Sequence, residues 1–123
     1  MCGIAGFVIP SPNLDTLAQL ALMGQAIAHR GPDDTGILDV VSSDERYRVG
    51  LVHRRLSIID LATGHQPLGN GDGSVQVIFN GEIDKCQSLR EELIALGHIF
   101  KTASDTETIV HAYVQRGAAC VRH

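Results

Sequence analysis

The chain has 123 residues, 44% of them hydrophobic, with 10 Lys and Arg against 14 Asp and Glu and a formal net charge of −4. That length and apolar content suit one folded domain and exclude a disordered chain, which combines few apolar residues with high net charge. An acidic balance without a basic cluster also excludes the electrostatic footprint of nucleic-acid binders and of proteins drawn to anionic membranes, so small molecules or proteins are the expected partners.

Met1 to Pro10 lacks the cationic start and long apolar run of a secretory signal, and no stretch reaches transmembrane length. Residues 3–9 are an apolar run with two glycines, ended by Pro10, as in a buried strand that another group approaches closely. Leu14, Leu17, Ala18 and Ala21, with Leu20, Met23 and Ile27 beside them, predict a helix over 14–29 with Asn13 as its cap. His29-Arg30-Gly31-Pro32-Asp33-Asp34 ends it in a charged loop. Runs 36–41 and 47–52 flank Ser42-Ser43-Asp44-Glu45 and read as a hairpin, with a further apolar segment over 56–61. Residues 62–74 read as a loop. Residues 75–79 form a strand candidate ended by Asn80-Gly81, a pair suited to positive φ. A second helix is predicted from Asp84, with Gln87 as capping-box partner and Leu89, Leu93 and Leu96 as its apolar face, ending near Gly97. Ser104-Asp105-Thr106-Glu107 is a capping box opening a third helix, with Ile109, Val110, Tyr113 and Val114 apolar, that runs to Gly117. Residues 118–123 carry no terminal feature and the strands leave open sheet edges, so the chain reads as a truncated piece.

Cys2, Cys86 and Cys120 are an odd set at irregular spacing, unlike a disulfide framework, which points to a reducing cytoplasm. Cysteine and histidine show no paired spacing of the structural-zinc kind, so no metal is expected. Gly69-Asn70-Gly71-Asp72-Gly73 lacks the lysine and helix start of a P-loop. Cys2 is the most informative residue. Removal of Met1 would leave its thiol and a free α-amine on one carbon, and a neutral amine can accept the thiol proton near neutral pH, directly or through water. The plain rival is a small buried hydrophobe at a strand start.

Met1-Cys2-Gly3-Ile4-Ala5-Gly6, His29-Arg30-Gly31-Pro32-Asp33, His53-Arg54-Arg55-Leu56-Ser57-Ile58-Ile59-Asp60, Gln66-Pro67-Leu68, Asn80-Gly81-Glu82-Ile83 and Ser104-Asp105-Thr106-Glu107 occur in this order. Together they resemble the glutaminase domain of glutamine-hydrolysing asparagine synthetases and their relatives, the class II, N-terminal-nucleophile glutamine amidotransferases. The Arg-Leu-Ser-Ile-Ile-Asp and Gln-Pro-Leu pieces look like the asparagine-synthetase branch. The resemblance implies an α+β fold, the α/β/β/α sandwich of N-terminal-nucleophile hydrolases with mainly antiparallel sheets, and makes residues 1–123 the N-terminal part of an amidotransferase domain without its synthetase domain.

It also implies L-glutamine as substrate, split into glutamate and ammonia for ATP-dependent asparagine synthesis in the full-length protein. Cys2 matches the family's nucleophile. Asn80 and Gly81 match its oxyanion donors, a side-chain amide and a backbone N–H. Arg55 matches the arginine for the α-carboxylate, Asp105 and Glu82 the acidic positions for the α-ammonium, and Ile58 lies in the segment that contacts glutamine. Without the resemblance, Arg55 reads as a solvated charge, Asp105 as a helix-capping residue and Asn80-Gly81 as a plain turn. His29-Arg30-Gly31-Pro32-Asp33 receives no chemical role; its simplest reading is a loop pinned by Arg30 and Asp33. No cofactor is expected in this chain, ATP and magnesium belonging to the missing synthetase domain. Partners are that domain and a homodimer mate, with neither nucleic acid nor membrane. Asp84-Lys85-Cys86 departs from the family, whose members usually continue Asn-Gly-Glu-Ile with Tyr-Asn. The rival functions are a non-catalytic module that binds glutamine or docks a partner, and an amidotransferase with another acceptor.

Overall fold

The computed structural model describes residues 1–11, 15–57 and 64–122. In chain order these form strand β1 (Gly3–Pro10), helix α1 (Thr16–Ala26), a 3-10 turn (Ala28–Arg30), β2 (Asp34–Val41), β3 (Tyr47–Arg55), β4 (Leu68–Gly69), β5 (Gln76–Val77), α2 (Cys86–Ala95), α3 (Asp105–Arg116) and a closing 3-10 helix (Gly117–Arg122). The class is α+β. No helix among the described residues is long and apolar enough to cross a membrane.

β1, β3 and β2 form an antiparallel sheet in that order, with Gly3 opposite Arg54 and Asp34 opposite Arg55. This register sets Cys2, one residue before β1, beside the end of β3. The hairpin is longer than the composition suggests. β3 continues three residues past Val52, so His53-Arg54-Arg55 is strand and its side chains alternate between faces. α1 covers one face through Thr16, Leu20 and Gly24, all buried, and an added Cβ on Gly24 would meet Val52 Cγ2 at 3.1 Å. Thr16 Oγ1 donates to Asp39 Oδ2 at 2.6 Å, tying the helix to β2. Leu17, expected in the helical apolar series, is exposed, because the i, i+4, i+8 seam of small and branched residues packs instead. Asp15 caps α1 by accepting from the Ala18 N–H; Asn13 and Leu14 lie outside the described residues.

The opposite face carries His53 and Arg55 toward the second half of the chain, while Ile4, Val8 and Val40 on that face stay exposed. β4 and β5 are a short ribbon whose turn is closed by Gly73, at φ 75°, donating to the Asn70 carbonyl at 3.2 Å. The expected strand over 75–79 is shortened to Gln76–Val77, because the Phe79 N–H turns to a side-chain acceptor, Gln66 Oε1, at 2.6 Å. Neither Asn80 nor Gly81 is among the residues with positive φ; Gly73 takes that conformation in this region. Of the segment over 56–61, only Leu56 and Ser57 are described, and neither is strand.

α2 begins at Cys86 rather than Asp84. Lys85, at φ 58°, precedes it without a side-chain cap, and Gln87 bonds forward to Glu91 at 3.0 Å, so the expected capping box is not formed. Leu93 is fully buried, Leu89 partly so and Leu96 exposed. α3 is capped by Ser104 Oγ, which accepts from the Thr106 N–H at 3.2 Å, but Glu107 does not close the box. Its carboxylate accepts instead from the N–H groups of Lys101 and Thr102 and from Thr102 Oγ1, all at 2.7 Å. Tyr113 and Val114 are exposed; Thr106, Thr108, Val110 and Ala112 form the buried side, against α2 and the β4–β5 ribbon. Gly117 ends the helix at φ 58°.

Candidate active site

Cys2 is held on both sides. Its Sγ accepts from the Leu56 N–H at 3.4 Å, just beyond β3, and its carbonyl accepts from Arg30 Nε at 3.1 Å. The loop 29–33 is the brace that makes this possible. The Gly31 carbonyl accepts from Arg54 Nε at 2.9 Å, and Gly31 lies so close to the Arg54–Arg55 backbone that any Cβ would overlap it. Asp33 donates its N–H to the Arg55 carbonyl at 3.0 Å and accepts from the Ser57 N–H at 2.7 Å. Arg30 and Asp33 thus pin the start of β1 to the end of β3.

A cavity of about 420 Å³ opens between this edge and the second half of the chain, with Cys2, Arg55, Gln66, Asn80, Gly81 and Asp105 in its wall. Arg55 reaches it because β3 runs to residue 55; only 8% exposed, it lies against Gly64, where a Cβ would collide with the guanidinium. Asn80 and Gly81 follow Phe79, whose ring lies 2.9 Å from where a Gly81 Cβ would stand. Asp105 is the first residue of α3, held by the Ser104 cap where the helix dipole favours a carboxylate. A cation, a carboxylate and a thiol lining one cavity with Asn80 and Gly81 are an arrangement able to bind an amino-acid zwitterion and attack its far end.

The expected site residues do not all gather here. Glu82 is exposed and does not line this cavity, and Ile58 lies outside the described residues. Sequence reasoning missed Gln66, Thr106 and Gly64, which shape the wall. The Gln66-Pro67-Leu68 motif was visible, but its contacts lie 13 and 40 residues away and have no local signal.

Behind the wall, His53 is 1% exposed and its Nε2 has no hydrogen-bond partner among the described residues. Burial pushes its pKa below the ordinary 6.5, favouring the neutral ring. Asp34, paired with Arg55 across the sheet, is held below the usual carboxylate range first by its 2.7 Å contact with His65 Nδ1.

The pattern of a glutamine amidotransferase domain matches residues 1–123, the full length of the sequence. The chain belongs to this family. Among its relatives are asparagine synthetase [glutamine-hydrolyzing] 2 of Bacillus subtilis (strain 168), 42% identical over 98% of this chain and 16% of that protein. Asparagine synthetase [glutamine-hydrolyzing] 1 of the same organism is 46% identical over 92% of this chain and 17% of that protein. A probable asparagine synthetase [glutamine-hydrolyzing] of Dictyostelium discoideum is 42% identical over 95% of this chain and 20% of that protein. The chain spans about a sixth to a fifth of the length of these curated relatives. As an amidotransferase-family chain, it brings Cys2, Arg55, Asn80, Gly81 and Asp105 to one cavity from separated parts of its sequence.

Proposed function

We propose that this cavity hydrolyses the side-chain amide of L-glutamine, and that the full-length protein passes the ammonia to ATP-dependent synthesis of asparagine. Removal of Met1 frees the Cys2 amine, which accepts the thiol proton, directly or through a water. The thiolate attacks the amide carbon, and the oxyanion is met by the Asn80 side-chain amide and the Gly81 N–H. The ammonium formed at Cys2 returns its proton to the amide nitrogen, ammonia leaves, and a γ-glutamyl thioester remains. Water adds to the thioester as the amine takes its proton; the Cys2 thiolate leaves, regains the proton and releases glutamate. The Arg55 guanidinium grips the α-carboxylate bidentately and Asp105 receives the α-ammonium, with Ile58 contributing a backbone contact. Glu82 stands next to Gly81 as an outer acidic group. ATP and magnesium serve the acceptor and enter no step here.

The α/β/β/α sandwich belongs to the same reading. α1 covers one face of β1-β3-β2, and Ile4, Val8 and Val40 on the other face await a second sheet larger than the β4–β5 ribbon.

The convergence of Cys2, Arg55, Asn80, Gly81 and Asp105 on one cavity carries the proposal. Replacing Cys2 by Ala in the full-length protein tests it: glutamine-driven amidation is lost while amidation driven by added ammonium persists. Retained use of glutamine would refute the assignment. N-terminal sequencing of the active protein is expected to begin at Cys2.

A further inference from the structure

Two segments of the cavity wall, 79–81 and 103–106, are joined through one buried side chain. Gln66 is 8% exposed and uses both ends of its carboxamide. Oε1 accepts from the Phe79 N–H at 2.6 Å, and Nε2 donates to Thr106 Oγ1 at 3.3 Å. Phe79 immediately precedes Asn80, and Thr106 immediately follows Asp105. The backbone carbonyl of Gln66 rests on Gly36 of β2, where any Cβ would overlap it. The amide is therefore seated on the sheet while it reaches to both walls.

We propose that Gln66 is a positioning residue for glutamine hydrolysis, setting the separation between the Asn80–Gly81 donors and the Asp105 carboxylate; this rests on the functional reading above. A carboxamide presents one acceptor and one donor group at fixed spacing in a plane, so engaging both fixes its two partners relative to each other. In any one bound rotamer, glutamine has a fixed distance between its α-ammonium and its amide carbon. A wall that holds the ammonium and a wall that holds the oxyanion must therefore stand at a matching distance: slippage of the ammonium wall weakens binding, and slippage of the oxyanion wall slows chemistry.

The two arms of the amide act on different kinetic terms. The Phe79 arm orients donors for a charge that exists only in the transition state, so its loss lowers kcat. The Thr106 arm orients the carboxylate that holds the amino-acid end in ground state and transition state alike, so its loss raises KM.

Glutamate release by the full-length protein, measured against glutamine concentration, tests this with three variants. Gln66→Met keeps the length and removes both arms; kcat falls about 10-fold or more and KM rises. Gln66→Glu restores an oxygen opposite the Phe79 N–H, and kcat returns to within about threefold of wild type. Thr106→Val removes only the acceptor of Nε2, so KM rises about three- to tenfold while kcat stays within about twofold. A residue that merely holds the fold together would lower the melting temperature in all three and produce no such split. Kinetic constants for Gln66→Met within about twofold of wild type, or equal kcat losses in all three variants, overturn the proposal. If Gln66→Met does not fold, Gln66→Glu and Thr106→Val decide it: kcat near wild type in both with KM raised in Thr106→Val supports the proposal, and a kcat loss of about 10-fold or more in either, or an unchanged KM in Thr106→Val, overturns it. Failure of the functional reading looks different: the wild-type protein then releases no glutamate, or Cys2→Ala releases it as fast, and the inference falls with it.

Discussion

Arg55 illustrates how a side chain acquires a task from its surroundings. It is a nearly buried guanidinium pressed against Gly64, so both its place and its orientation are restricted. A lysine there supplies the charge without the planar fork, and Arg55→Lys is expected to raise KM for glutamine about 10-fold or more with a smaller change in kcat, measured by initial rates of glutamate release. Asp105→Asn is expected to raise KM likewise, because the amide keeps the shape and loses the charge proposed to meet the ammonium. Cys2, Arg55, Asn80, Gly81 and Asp105 were legible because each stands inside a short recognisable piece of sequence. Gln66 was legible only as a motif letter. Its physical role arises from partners at Phe79 and Thr106 that no local pattern announces.

Among the elements, the turn before α3 is governed by Glu107. Burial pushes its carboxyl pKa up, but hydrogen bonds from the Lys101 N–H, the Thr102 hydroxyl and the Thr102 N–H outweigh that, and it titrates below the ordinary carboxylate value. The capping-box pattern located the helix start correctly and misassigned this glutamate, because three donors in the preceding loop outcompete the Ser104 N–H, which bonds to Thr102 Oγ1 instead. Glu107→Ala is expected to destabilise the protein by about 2 kcal/mol or more in urea unfolding, since it strands donors in a part-buried loop.

His111, on the next turn of α3, is depressed below 6.5 by burial first and then by His98, whose Nδ1 lies 3.1 Å from its own; Glu107 opposes the shift. For His111 and His53 alike, the unfolded state binds a proton more readily than the folded state. Stability from these two rings is therefore fully present above about pH 6.5 and is lost as pH falls below that value toward their depressed folded pKa values. Urea midpoints measured downward from about pH 8 should fall through this window, and less steeply in His111→Gln.

The α+β class rested on the resemblance, while the helices and the hairpin strands were readable from periodicity. Where β3 ends was not, because charged His53-Arg54-Arg55 does not look like strand until the register with β1 and β2 buries His53 and Arg55. The apolar face bearing Ile4, Val8 and Val40 gives a test of the architecture. Val8→Lys should improve the solubility of the isolated 123-residue chain, yet destabilise the full-length protein by about 3 kcal/mol or more if a second sheet closes over it. Equal tolerance in both would argue against the sandwich.

The seat of Gln66 on Gly36 is main chain against main chain. The side chain at position 66 can therefore change without disturbing the spacing of the backbones beneath it. The reverse does not hold: every replacement at position 36 introduces at least a methyl group into occupied space and must prise the strand from the segment above it. In a saturation scan, position 66 should accept several residues in folding assays while most of them, Glu excepted, fail in turnover, whereas position 36 should reject all nineteen at the stage of folding.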